Sequence, residues 1–336
     1  MLNTLKRLCL CAGVTGNEAE IADLISSLAA PLADDCYKDK LGNLIAYKRG
    51  KSADKKILFT ANMDIAGYIV THIEENGNIR FFSYGKQNPS ALAYTSVTLG
   101  KGVSGIALPD NISSSELSFD EMHIDIGAQS KSEASELVSL GDTFTLPAHF
   151  TELQNGKIAS HALDCRTGCA LLVELMKQEV LPQYDTYFVF TCQKNFAQRG
   201  AKAAAFPIDP DIVISIDASY SECEENKALP SVAVGRGPAI LHRDTVAMAS
   251  EALVGLLRKA GEECGISLQD EFSRAAPSNA APMQACATGA HICAVTIPTE
   301  NKATGVQVAS MRDINDAYKL LSQLYKSNFE ITGERK

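Results

Sequence analysis

The chain has 336 residues, 46% hydrophobic and 21% charged, with a formal net charge of −9. That length can bury a large core in one to three domains. The acidic balance and the lack of a clustered Lys/Arg stripe argue against nucleic-acid binding, and no apolar run is long enough to span a membrane.

The N-terminal segment MLNTLKRLCLCAGVTGNE holds a basic pair, but its apolar stretch is too short for a signal-peptide core, so a cytoplasmic location is expected. Leu2, Leu5 and Leu8 share a helical face, and Thr15 and Glu18 have the spacing of a capping box that opens a second helix. Residues 21–30 form its amphipathic body, stopped by Pro31. LGNLIAYKRG reads as a strand entered through a turn at Gly42-Asn43, and residues 57–60 as a buried strand running into a polar end.

Between residue 67 and about residue 149 the texture changes to short alternating strands broken by Gly, Asn, Pro and Ser. Asn76-Gly77 supplies a hairpin turn signal there. From about residue 157 an α/β rhythm resumes, with helices at 167–178 and 246–260 and apolar strands at 187–192, 212–216 and 292–297. Helices alternating with apolar strands imply a mostly parallel sheet covered on both faces. The expected organisation is a discontinuous α/β domain, residues 1–66 plus 150–336, with an inserted all-β domain at 67–149. The ten cysteines contain no C-x-x-C pair and several sit in apolar runs, so they read as reduced core thiols.

Chemistry in open α/β sheets gathers at the carboxyl ends of strands. ANMDIAG (61–67), HALDCRTG (161–168) and ISIDASY (214–220) place Asp64, Asp164 and Asp217 near such ends, and Lys194-Asn195 follows a fourth strand. Singly, each Asp reads most simply as an N-cap or a turn residue. Together with the Lys-Asn pair they suggest one shared rim.

Here the chain resembles the glutamyl aminopeptidase and cellulase-M-like metallopeptidases, the tetrahedral aminopeptidases, over nearly its whole length. The resemblance is carried by GVTGNE (13–18), DKLGNLIAYKRG (39–50), MDIAGYIV, HIDIGAQSKSEA (123–134), ALDCRTG, QRGAKAA (198–204), VGRGPAI and IPTENKATGV, in that order. It implies a zinc-peptidase-like mixed sheet sandwiched by helices, with a small barrel-like β insert serving as an oligomerisation module or lid. It also implies two divalent metals, zinc or cobalt, held by two His, a bridging Asp, a Glu and an Asp, with a second Glu as general base.

Carried over by position, the first His falls on Asn62 and the late His on Ala303. The Glu-Glu pair falls on Lys194 and Asn195, with Lys194 at the general-base position. The two aspartates remain as Asp164 and Asp217. Asp64, Cys165 and Arg166 are supporting positions. A protonated lysine accepts no proton and opposes a metal. The expectation is therefore no intact catalytic residue, no bound metal, and Lys194 neutralising Asp164 and Asp217, helped by Arg166 and Lys302. An ammonium within about 4 Å of a carboxylate contributes roughly 4 kcal/mol at an effective dielectric near 20. The corresponding function is a non-catalytic paralogue with a peptide-binding or assembly role, forming a homo-oligomer or a hetero-oligomer with an active homologue. The alternative is an active aminopeptidase with one metal on Asp164 and Asp217, helped by Cys165, Cys192 or His161. A third reading is a thiol enzyme pairing Cys165 with His161.

Overall fold

The computed structural model describes residues 1–85, 87–100, 102–111, 116–220, 232–273, 278–301 and 303–329. An eleven-stranded mixed sheet forms its frame. At its centre lie four parallel strands in the order Tyr184–Thr191, Ser52–Asn62, Ile212–Tyr220, His291–Glu300. Antiparallel strands extend the sheet on both sides, Leu44–Lys48 and Asp35–Lys38 beyond one edge and Gln307–Ser310, Lys157–Ser160 and Phe150–Glu152 beyond the other.

The central strands carry apolar residues on both faces because helices cover both. In Ser52–Asn62, Ile57, Phe59 and Ala61 join the larger core, while Leu58 between them faces the other side. Phe188 and Phe190 alternate with Val189 in the same way, and Ile212 and Ile214 with Val213. The helices Leu2–Cys9, Ala19–Ala29, Leu163–Met176 and Met311–Tyr325 close the first face. Arg199–Ile208 and Ala280–Gln284 close the second through Ala201, Ala204, Ala205, Ile208 and Met283.

A separate antiparallel sheet of six strands runs in the order Ser96–Leu99, Val103–Pro109, Met122–Asp125, Ile79–Tyr84, Gly67–Ile73, Thr143–Phe144. Its end strands approach each other, which curls it toward a barrel. Tyr68 stacks on Phe144 and meets Phe81 edge-on in its own apolar core. Gly77 closes the Gly67–Ile73/Ile79–Tyr84 hairpin with φ of 93°, and a Cβ there would sit 2.7 Å from the Ala128 carbonyl oxygen.

Three expectations need correction. The helix expected from residue 167 begins at Leu163, so Asp164 lies in its first turn and not at its cap. The helix expected from 246 begins at Glu251, because Asp244 captures the Val246 and Ala247 N–H groups in a turn. The capping box at Thr15 and Glu18 does not form. The helix starts at Ala19, and both side chains reach elsewhere. Nine cysteines among the described residues are free thiols, seven of them buried.

Candidate functional site at the carboxyl edge of the sheet

Because the four central strands are parallel, their carboxyl ends share one edge, and register places Thr191 opposite Asn62. A cavity of about 350 Å³ opens at that edge, between the main sheet and the loops Gly85, Gln87, Thr145 and Leu146 beside the six-stranded sheet. Its wall gathers Asn62, Asp64, Asp164, Lys194, Asn195, Asp217 and Ala303, residues the sequence places in one site. Cys165 and Arg166 lie behind the wall, fully or almost fully buried.

Lys194 sits just past Tyr184–Thr191. Its ammonium pairs with the Asp217 carboxylate and donates to Asn62 Oδ1 at 3.3 Å. Burial alone would lower the lysine pKa. The charge and hydrogen bond of Asp217 outweigh it, with Asp164 and Asp64 adding to the pull, so the ammonium is held above its ordinary value. Lys194 therefore stays charged and cannot act as a base near neutrality. Asp217 also accepts from Ser215 Oγ at 3.3 Å and from the Asn279 N–H at 3.2 Å.

Asp64, 1% exposed, is surrounded by donors. Oδ2 receives Thr15 Oγ1 at 2.8 Å and both the N–H and Nδ2 of Asn195 at 3.0 Å, and Oδ1 receives Asn62 Nδ2 at 3.4 Å. Glu18 holds the same turn from below, accepting from the Gly16 N–H at 2.8 Å and the Gln193 N–H at 2.9 Å. The turn needs such anchors. Gln193, Ala197 and Gln198 all have positive φ, between 52° and 57°, a conformation that costs non-glycine residues free energy. The strand stops at Thr191, so Cys192 and Lys194 do not share a strand face. Thr15 and Glu18 escaped sequence reasoning as site residues. Their signal was present, but it was spent on the capping box.

Asp164 sits in the first helical turn, its N–H bonded to Gln307 Oε1 at 2.8 Å. Arg166 turns away from the rim and donates to the carbonyl oxygens of Met63 and, at 3.3 Å, Cys11, bracing the strand end against the N-terminal segment. Lys302 lies outside the described residues. Cys165 is buried, bonded to the Ala162 carbonyl oxygen at 3.4 Å, and burial pushes its thiol far above the range of a reactive cysteine. His161, also on the wall, has no hydrogen-bond partner at either ring nitrogen. The Cys165–His161 pair needed by a thiol enzyme is therefore not made. Ala303 contributes only a methyl group and a carbonyl oxygen that accepts from the Asn88 N–H at 3.3 Å.

The residues present do not fit a dimetal centre. An ammonium, two amides and a methyl group stand at Lys194, Asn62, Asn195 and Ala303, none a good metal donor. Among the described residues, no group of three or more His, Cys, Asp or Glu side chains is placed to hold a metal ion.

The mixed sheet with its parallel centre, the rim cavity and the separate antiparallel sheet define a zinc-peptidase-like α/β scaffold. A family model described as M42 glutamyl aminopeptidase matches residues 42–320, and the chain belongs to that family. A putative aminopeptidase of Acetivibrio thermocellus is 35% identical over 323 residues, covering 96% of this chain and 97% of its own. The TET aminopeptidase from the marine sediment archaeon Thaumarchaeota archaeon SCGC AB-539-E09 superposes with a TM-score of 0.91 at 25% identity, covering 97% of each chain. The TET1 peptidase of Pyrococcus horikoshii, which can assemble into a tetrahedron or a large octahedral shell, superposes with a TM-score of 0.86 at 28% identity, covering 96% of this chain and 98% of its own.

Proposed function

We propose that this chain is a non-catalytic member of its family, a cytoplasmic protein in which an internal ammonium does the electrostatic work of metal ions and the cavity binds ligands without hydrolysing them. The observation that carries this reading is the Lys194–Asp217 ion pair, with the same ammonium reaching Asn62. Peptide hydrolysis by metal-activated water needs several anionic or imidazole donors and a base that is deprotonated near neutrality. Lys194 supplies neither, and its charge lowers the affinity of a cation for Asp164 and Asp217. In this reading Asn62, Asp164, Asn195, Asp217 and Ala303 are vestigial metal-site positions.

The proposal extends to organisation. Residues 67–149 act as an inserted module of the domain formed by 1–66 and 150–336, and they serve assembly or cover the cavity. Self-assembly, or co-assembly with an active homologue, follows by analogy with the shell-forming relative.

Metal analysis of protein purified at neutral pH, with and without added zinc or cobalt, tests the central claim alongside an aminopeptidase screen. We expect metal far below one ion per chain and no release of N-terminal residues. Stoichiometric metal, or turnover abolished by Asp164→Ala, would falsify the reading.

A further inference from the structure

The turn that carries Lys194 is held from two directions. On one side Glu18 accepts from the Gln193 N–H and Asp64 from the Asn195 N–H. Within the turn, the Phe196 and Gln198 N–H groups donate to the Gln193 and Lys194 carbonyl oxygens at 3.2 and 3.1 Å. Positive φ at Gln193, Ala197 and Gln198 stores free energy, so the turn relaxes when its anchors are lost.

The other side belongs to the six-stranded sheet. Tyr84, the last residue of Ile79–Tyr84, meets the Phe196 ring edge-on at 6.0 Å. The Arg199 guanidinium lies over the same ring, 4.4 Å from its centroid. Phe196 is 44% exposed, so these ring contacts and not deep burial fix its place. Gly85 follows at once with φ of 73°. A Cβ there would stand 3.0 Å from Asn195 Oδ1 and 3.3 Å from the Cβ atoms of Asn195 and Ala66, so the two backbones approach closely. Just past Thr143–Phe144 of the same sheet, Thr145 Oγ1 donates to the Ala66 carbonyl oxygen at 3.2 Å. The sheet therefore touches the rim at both Asn195 and Ala66.

We propose that the six-stranded sheet controls the Lys194 counter-ion through this joint. Tyr84 and Gly85 keep Phe196 and Asn195 in place, and a displacement of the sheet frees the turn and weakens the Lys194–Asp217 pair. The coupling is reciprocal, so losing the ion pair loosens the end of Ile79–Tyr84. The inference rests on the reading of Lys194 as an internal counter-ion, and metal content tests that reading separately.

Hydrogen–deuterium exchange of the full chain at neutral pH, read by mass spectrometry, compares the wild type with Tyr84→Leu, Phe196→Leu and Lys194→Met. The Gln193, Asn195, Phe196 and Gln198 amides all have partners, so the wild-type turn should be protected. Tyr84→Leu should speed exchange across 193–198 by about two- to tenfold, the worth of one aromatic pair. Phe196→Leu should do the same, and either ring variant suffices if the other fails to fold. Lys194→Met should speed exchange at 81–84. Tyr94→Leu, which removes an exposed tyrosine elsewhere on that side of the molecule, should leave 193–198 unchanged. The proposal is overturned by an unprotected turn in the wild type, by unchanged exchange at 193–198 in the ring variants, or by unchanged exchange at 81–84 in Lys194→Met. A rise spread evenly through Ser52–Asn62 and Val103–Pro109 overturns it too, because that is a general loss of stability. Stoichiometric metal in the wild type sinks the counter-ion reading and leaves the exchange pattern to judge the joint.

Discussion

The two sides of the cavity solve opposite problems. Around Asp64 and Asp217, hydrogen bonds from Thr15, Asn62, Lys194, Asn195, Ser215 and Asn279 supply partners from within the chain. At His161, a buried ring is left with both nitrogens unpaired. The first side is satisfied from within the chain, whereas the second leaves a buried imidazole donor and acceptor uncommitted. Removing the ammonium attacks the first side directly. Lys194→Met leaves Asp217 buried without its counter-ion, and we expect a loss of about 3 kcal/mol in urea unfolding at neutral pH. The Lys194→Met/Asp217→Asn double variant should recover most of that, since the stranded charge is gone. A Lys194→Met variant as stable as the parent would show that the ammonium is not a counter-ion.

Acid attacks the second side. His161 titrates near 4 in the folded chain against an ordinary value near 6.5, so the unfolded chain binds the extra proton first. A depressed folded pKa means that the associated stability is present above about pH 6.5 and is lost as pH falls toward about 4. The size is about 3 kcal/mol for a group this buried. Glu18, raised by burial against two backbone hydrogen bonds, works in the opposite sense, gaining relative stability as it protonates. Stability-versus-pH curves of wild type and His161→Phe isolate the histidine, because their difference cancels the carboxylates. Parallel curves between pH 4 and 6.5 would show that His161 is not buried as a neutral ring.

The frame was legible in sequence because its signal is local. Near-continuous apolar runs at 57–60 and 212–216 mark central strands wherever they pair, and Asn76-Gly77 marks a hairpin by its own conformational needs. Asp64, Asp164 and Asp217 were legible as a group because parallel strands bring their carboxyl ends to one edge. What stayed hidden depends on distant packing. Thr15 and Glu18 look like a helix cap, and only the fold brings them within hydrogen-bonding distance of Asp64 and Gln193. Arg166, beside Asp164 in sequence, was expected to share its charge with the rim, yet its hydrogen bonds go to the carbonyl oxygens of Met63 and Cys11. Glu271 sits on a short strand with no motif around it, so its place on the cavity wall is a product of topology alone.

Two smaller perturbations sharpen the contrast from the rigid side. Gly200 follows the strained turn, and a Cβ there would meet the Cys192 carbonyl oxygen at 2.3 Å and Asn43 Oδ1 at 2.4 Å. Backbone cannot yield cheaply at that spot, so Gly200→Ala should cost about 2 kcal/mol and loosen the segment carrying Lys194, seen as faster amide exchange at residues 193–198.

Thr15→Val is the mildest test. It keeps the shape and removes one of three hydrogen bonds to Asp64 Oδ2, so the carboxylate stays solvated by Asn195. The expected loss is about 1 kcal/mol, below the usual cost of stranding a charged acceptor. Asn195→Ala removes another donor to the same oxygen while its backbone N–H remains. If Asp64 is held as a unit, the two changes together should cost more than their sum, because the second removal strips a carboxylate that the first left adequately bonded. Strict additivity in the double-mutant cycle would mean that each donor acts alone, and that the rigidity of this side resides in the Lys194 ion pair and not in the bonds around Asp64.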